Sequence, residues 1–300
     1  MKLTLPTEFT GLPVIASVSG GKDSTALILA LREAEIPARY VFADTKWEAP
    51  ETYGYLDTLR SKLGIAIDVV SADIWWAESG RLPLLHGMRA KVMARAGFPS
   101  RMTRWCTGEL KLTPLRKYHD AIGEDTVSAM GVRADESAAR AKMAEWEDDD
   151  RWGGWVWRPL IRWTVADVIG IHHRHDVPLN PLYLRGHDRV GCYPCIFSRK
   201  EEIRLIAEHS PGRIDEIRAL EAEATAERAR RNEETPGRYA HPQATFFQTI
   251  ERGGKPNGID EVVAWSKTSR GGKQLPLLQP VPDGGCMRWG MCEPPGKGEP

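Results

Sequence analysis

The chain has 300 residues, 41% hydrophobic and 27% charged, and its 41 basic and 41 acidic residues give a formal net charge of zero. Such a composition excludes a fibrous or disordered chain, and the balanced charge excludes any global electrostatic case for nucleic-acid or membrane binding. Met1 to Thr7 lack the apolar core of a signal peptide and no later run approaches a membrane span, so a cytoplasmic protein with no membrane partner is expected.

Taken in chain order, Val14 to Ser17 predicts a first strand, Asp23 to Ala34 a helix, and Arg39 to Asp44 a second strand ending on a carboxylate. Glu51 to Leu63 has helical spacing, Ile65 to Val70 predicts a third strand and Thr126 to Gly131 a fourth. Strands alternating with helices imply an α/β fold with a doubly wound parallel sheet, whose ligands lie outside the carboxyl ends of the strands. Between the third and fourth strands lies a long insertion, residues 73–120, with helical pieces around Cys106. From Arg89 to Lys117 it carries eight basic residues against one acidic, Glu109, which reads either as an anion-facing surface or as a solvated basic loop.

Thr164 is the expected N-cap of another helix, with His172, His173 and His175 near its end. Polar and cationic residues are common in a last turn, so these histidines are given no metal role. Residues 200–231 are charged and helical, and beyond Pro236 the chain becomes rich in glycine and proline and is expected to be irregular. The domain reading is therefore 1–199 for the nucleotide-type α/β unit, including the insertion, and 200–300 for a helical, cysteine-bearing extension with an irregular tail.

The most informative run is Ser19-Gly20-Gly21-Lys22-Asp23-Ser24, set between the first strand and its helix. Two glycines let the backbone N–H groups approach an anion, and the helix N-terminus adds partial positive charge. Lys22 with the hydroxyls of Ser19, Ser24 and Thr25 can hold phosphate oxygens, while Asp23 can hold magnesium or orient the loop. It is not a Walker A loop, which would need glycine at Ala16 and Ser or Thr at Asp23. Five cysteines, an odd number, argue against a disulfide framework and for metal or redox use. Cys192-Tyr193-Pro194-Cys195 has the spacing of a zinc or iron–sulfur chelate or of a redox dithiol.

The loop is similar to the S-G-G-x-D-S pyrophosphate loop of the N-type ATP pyrophosphatases. The chain as a whole, over roughly residues 10 to 225, resembles the phosphoadenosine phosphosulfate reductase family, a Rossmann-like branch of the adenine nucleotide alpha hydrolase superfamily. Carrying the resemblance are Asp44-Thr45 with Glu48, Pro50, Glu51 and Thr52, then the block from Arg104 through Cys106 to Pro114, then Gly131-Val132-Arg133 with Glu136, Ser137 and Arg140. Asn180-Pro181-Leu182-Tyr183, running through Gly186 and Arg189 to Cys192 and Cys195, completes it. It implies nucleotide contacts from Ser17, Ser19, Gly20, Gly21, Lys22, Asp23, Ser24, Thr25, Asp44, Thr45 and Gly131, and catalytic roles for Lys22, Asp23, Arg133 and Arg140. Either arginine could pair instead with the acidic run Glu145 to Asp150.

Departures from the family pattern matter as much. Trp105 stands where cluster-bearing members have the first of a Cys-Cys pair, leaving Cys106, Cys192 and Cys195 for an expected iron–sulfur centre, 4Fe-4S in type, with one iron open to a sulfur ligand or with Cys286 or Cys292 as the fourth ligand; a zinc site and three buried, unconnected thiols are the alternatives. The reductases' C-terminal Glu-Cys-Gly-Leu-His block is absent. The intact loop suits ATP with magnesium, so the resemblance implies an enzyme of sulfur metabolism that forms AMP and pyrophosphate by adenylating an acceptor and then supports sulfur transfer. A nucleic-acid acceptor, a cysteine desulfurase or other sulfur donor, and a homodimer are the partners considered. Reduction of a sulfonucleotide (APS or PAPS) to sulfite is the alternative, and a non-catalytic nucleotide-binding subunit of a modification or defence complex is a third reading.

Overall fold

The computed structural model describes residues 3–73, 75–76, 85–123, 125–149, 154–247 and 257–268. Among the described residues, eight strands run in chain order: β1 (Val14–Val18), β2 (Ala38–Asp44), β3 (Ile67–Ser71), β4 (Trp75–Trp76), β5 (Leu85–His86), β6 (Thr126–Met130), β7 (Trp146–Asp149) and β8 (Gly154–Trp157). The helices are α1 (Lys22–Glu33), α2 (Pro50–Leu63), α3 (Gly87–Arg95), α4 (Trp105–Thr107), α5 (Thr113–Asp120), α6 (Val165–Arg174), α7 (Pro181–Leu184), α8 (Lys200–His209), α9 (Pro211–Glu234) and α10 (Ile259–Ser266). A π-helical turn, Gly108–Leu112, joins α4 to α5.

Six strands form one sheet in the order β3-β2-β1-β6-β8-β7, parallel throughout except for β7, which runs antiparallel to β8 at the edge. The expected α/β doubly wound architecture is therefore present. Central position explains composition: Val14, Ile15 and Ala16 of β1 and all five residues of β6 are buried, because helices cover both faces of an inner parallel strand. Strand order reverses direction between β1 and β6, which places the loops after these two strands at the crevice where such sheets bind ligands.

Helix α1 is buried from Ser24 to Leu31, held between the sheet and α6. Its core continues into Phe42, Leu56, Trp157 and Val168. A second core joins Trp47, Met88 and Val92 with Ile206, Ile217, Leu220, Phe246 and Ile259, so the insertion and the helices beyond residue 199 share one apolar interior. The stretch expected to be helical over 200–231 is α8 and α9, with Pro211 at the first position of α9, where a missing N–H costs no intrahelical bond.

Several elements were not foreseen. The run Glu145 to Asp149 is largely strand β7, where an acidic stretch on a sheet edge discourages pairing with another chain. Trp146 stacks on Phe9 and Trp157 with ring centroids 4.2 and 5.1 Å apart, which seats that edge strand against the core. Helix α10 falls inside the stretch expected to be irregular; Val262 and Ile259 anchor it. No described helix is long and apolar enough to cross a membrane.

Candidate functional site

The turn after β1 holds its shape through its own side chains. Gly20 has φ 73°, a left-handed conformation suited to glycine, and a Cβ there would lie 2.8 Å from Thr52 Cγ2. Ser24 Oγ accepts from the Ser19 N–H at 3.1 Å and donates to the Gly21 carbonyl at 3.0 Å, closing the turn over the start of α1. Three groups far along the chain grip the same turn. Asn180 Nδ2 donates to the Gly20 carbonyl (3.1 Å), the Lys22 N–H donates to the Tyr183 hydroxyl (3.1 Å), and the His172 ring meets the Lys22 carbonyl (2.9 Å).

Charge gathers on the first turn of α1. Lys22 Nζ is 3.1 Å from Asp23 and lies over the Tyr183 ring, 5.2 Å from its centroid. Arg133, 2% exposed, donates through Nε to Asp23 and through Nη1 to both oxygens of Asp135 at 2.5 and 2.7 Å. Burial opposes the guanidinium charge, but Asp23 and Asp135 overcome it and raise the Arg133 pKa above its ordinary value. Arg140 pairs with Glu136, whose carboxylate also accepts the Arg133 N–H at 3.0 Å, so Arg140 is linked to the loop through two other residues. Among the described residues neither arginine pairs with Glu145 to Asp149, whereas Arg158 pairs with Glu147; Asp150 lies outside the described residues. Gly131 brings the β6 loop against α1: a Cβ there would sit 2.6 Å from the Asp23 carbonyl oxygen.

The end of β2 contributes a second polar group. Asp44, 3% exposed, accepts from the Lys46 N–H and the Tyr53 hydroxyl, both at 2.8 Å, while Thr45 Oγ1 donates to Glu48 at 2.7 Å. Burial, with Glu48 and Asp44 nearby, holds the Tyr53 phenol protonated well above its ordinary range. Thr25 is fully buried and hydrogen-bonded by Tyr55, so it supports α1 from within. Ser17 Oγ is buried and has no hydrogen-bond partner among the described residues, a polar group at the carboxyl end of β1 that is left unsatisfied.

The thiols lie next to this site. Glu48 forms an isolated antiparallel bridge with Cys192, and Cys106, Cys192 and Cys195 all pack against the second core as free cysteines. Burial, then the neighbouring Cys192 and Cys195, raises the Cys106 pKa; burial also raises that of Cys192, partly offset by the Lys111 ammonium that hydrogen-bonds it. Among the described residues no three His, Cys, Asp or Glu side chains are grouped so as to hold a metal ion, and Cys286 and Cys292 lie outside those residues. Among the described residues, the three thiols, with an ammonium against one of them, are not grouped as a metal cage.

Beside the thiols, Arg101 and Arg104 lie over the Phe197 ring at 5.8 and 5.7 Å. Phe197 is 36% exposed and Met102 94%. A shallow concavity among Arg32, Ile36, Tyr40 and Asp68 opens at the opposite, amino edge of the sheet, away from every group described above.

The model of the phosphoadenosine phosphosulfate reductase domain matches residues 13–198. An uncharacterized 37.8 kDa protein of Escherichia phage 186 is 34% identical over 315 residues, covering 90% of this chain and 92% of that protein. An adenosine 5'-phosphosulfate reductase of Burkholderia cepacia is 31% identical over 150 residues, covering 48% of this chain and 54% of the enzyme, so the chain spans about half of that reductase. Among solved structures, the phosphate complex of a phosphoadenylyl-sulfate reductase from Candida auris is 16% identical, covers 62% of this chain and 84% of that one, and has a TM-score of 0.47.

Proposed function

We infer that this chain, which belongs to the phosphoadenosine phosphosulfate reductase domain family, is a nucleotide-binding enzyme of sulfur metabolism that uses ATP. The observation carrying this reading is the intact glycine turn at the β1/β6 switch point, with Lys22 and Arg133 both on Asp23 in the first turn of α1. ATP enters as its magnesium complex, with the β- and γ-phosphates on the Ser19–Ser24 turn and the adenosine toward Asp44 and Thr45. An acceptor oxygen attacks the α-phosphorus, the bond to the bridging oxygen breaks, and pyrophosphate leaves with the bonding electrons, giving an adenylated acceptor. The turn and Lys22 hold the leaving group and Arg133 neutralises charge developing at the α-phosphate, so catalysis is chiefly positioning and electrostatic stabilisation. A sulfur nucleophile then displaces AMP, with Cys106, Cys192 and Cys195 as the thiols nearest the site.

The exposed Arg101, Arg104 and Phe197 beside those thiols favour an anionic acceptor, and a nucleic acid fits their mixture of guanidinium and aromatic surface. A second reading, reduction of APS or PAPS to sulfite, is supported by the name of the Burkholderia relative. Assays of AMP and pyrophosphate from ATP, with and without nucleic acid, against thiol-dependent sulfite release from both sulfonucleotides separate the two. Exchanging Lys22 and Asp23 together for alanine is expected to abolish ATP binding in a folded protein. Sulfite release with no AMP under any acceptor condition would transfer the assignment to the reductase.

A further inference from the structure

His172 is 1% exposed in the last turn of α6, packed against α1. Its Nε2 lies 2.9 Å from the Lys22 carbonyl oxygen and its Nδ1 3.1 Å from the Val177 carbonyl oxygen. Carbonyl oxygens only accept, so each contact is a hydrogen bond only when that ring nitrogen carries hydrogen. A neutral imidazole has one N–H and leaves a lone pair facing an oxygen on the other side. Both contacts are satisfied only by the imidazolium.

The groups around the ring divide on whether it should be charged. Burial opposes the charge and lowers the His172 pKa; the two carbonyls and the Asp23 carboxylate favour the charge, and His173 on the same helix opposes it. From the other packed elements come Lys22 and Asp23 of α1, with Arg133 on Asp23, the Tyr183 phenol of α7 on the Lys22 N–H, and Tyr55 of α2, whose hydroxyl donates to Pro178. Burial outweighs the groups that favour the charge in the protein without ligand, and an anion on the turn would add negative charge at the start of α1, on which the ring packs.

The contact reaches the anion site through one peptide unit. The carbonyl that His172 meets belongs to the Lys22–Asp23 peptide, whose N–H is one of the first-turn donors of α1 that lack an intrahelical acceptor. Withdrawing electrons from that carbonyl polarises the same peptide's N–H and strengthens it as an anion donor. We propose that His172 is a positioning residue of the phosphate turn, and that it takes a proton from solvent to become imidazolium when a phosphate-bearing anion binds there. The inference rests on the turn being an anion site, as in the proposed function, but not on which nucleotide occupies it.

Calorimetry on the full chain, with pyrophosphate, ATP–magnesium and APS as probes in two buffers of different ionisation enthalpy, counts the protons taken up. Wild-type protein is expected to take up as much as one proton per bound anion and to lose affinity as pH rises, by up to about tenfold per unit between the free and bound pKa values. His172→Gln should bind about five- to tenfold more weakly below neutrality and lack the extra proton, while the anion's own titration cancels between the two proteins. Should that variant fail to fold, NMR of histidine-labelled wild-type protein reads the protonation state of His172 directly, with an imidazolium expected in the complex. Binding with equal proton uptake in both proteins, or a neutral His172 in the complex, overturns this inference alone. Failure of every probe to bind overturns both it and the functional reading.

Discussion

Replacing Gly131 by alanine tests whether the close approach of the β6 loop to α1 builds the site. An added Cβ would lie 2.6 Å from the Asp23 carbonyl oxygen, 2.9 Å from its carbon and 3.1 Å from Ser24 Cα. All three are backbone atoms, so no side chain can swing aside. Relief requires α1 or the loop to move by about half an ångström, and α1 is packed on every side from Ala26 to Leu31. Overpacking of this kind costs about 1–3 kcal/mol. Displacement of the first turn also moves Lys22 and Asp23 relative to Arg133, with roughly a tenfold loss of ATP affinity expected by the sensitivity of bound geometry to small shifts. Urea unfolding and nucleotide titration measure the two effects. Gly54→Ala is the control: a Cβ there meets nothing within 4 Å, and the exchange in the middle of α2 should stabilise by about 0.5–1 kcal/mol. A Gly131→Ala protein with wild-type stability and affinity would refute the view that this contact shapes the site.

Arg133→Met removes the cation shared by Asp23 and Asp135 and is expected to cost about 3 kcal/mol and to slow AMP formation by roughly a hundredfold, whereas Arg140→Met, at a half-exposed pair, should change stability by less than about 0.5 kcal/mol. Equal effects of the two in unfolding and turnover assays would contradict the placement of Arg133. Burial pushes His119 and His187 down to about 4. Since their unfolded forms bind protons first, the stability each contributes is present above about pH 6.5 and lost as pH falls toward 4, by about 3 kcal/mol each at most. Urea midpoints at neutral and acidic pH should show that loss, and His119→Gln should remove part of it; a flat profile would exclude it. Cys192 should alkylate slowly at neutral pH and faster by up to about tenfold per pH unit, and Lys111→Met should slow it further by removing the ammonium that favours its thiolate. Alkylation of Cys192 as fast as that of a free thiol, or unchanged by Lys111→Met, would count against that environment.

The strand–turn–helix beginning the fold was legible because its determinants are neighbours in the chain: an apolar strand, two glycines and the apolar helix-forming run Ala26 to Leu31. The same holds for Thr164, whose hydroxyl accepts from the Asp167 N–H at 3.2 Å as the expected N-cap. Strand β7 escaped notice because an acidic run at a sheet edge looks like a solvated loop until Trp146 finds Phe9 and Trp157. Helix α10 escaped it because the glycine and proline content around it masked one short apolar turn.

By itself the sequence determined the alternation of strands and helices, the turn that begins α1 and the family to which the chain is similar, all of which depend on local spacing and ordered motifs. Only the tertiary structure decided what grips that turn. Asn180, Tyr183 and His172 reach it from 150 or more residues away, and Gly131 presses on Asp23 because two strands distant in sequence are adjacent in the sheet. It also decided that Arg133, and not Arg140, lies on Asp23. Spacing along a chain specifies which face of an element a residue occupies; which other element that face meets depends on how the whole sheet is ordered and covered, and so on contacts no local pattern encodes.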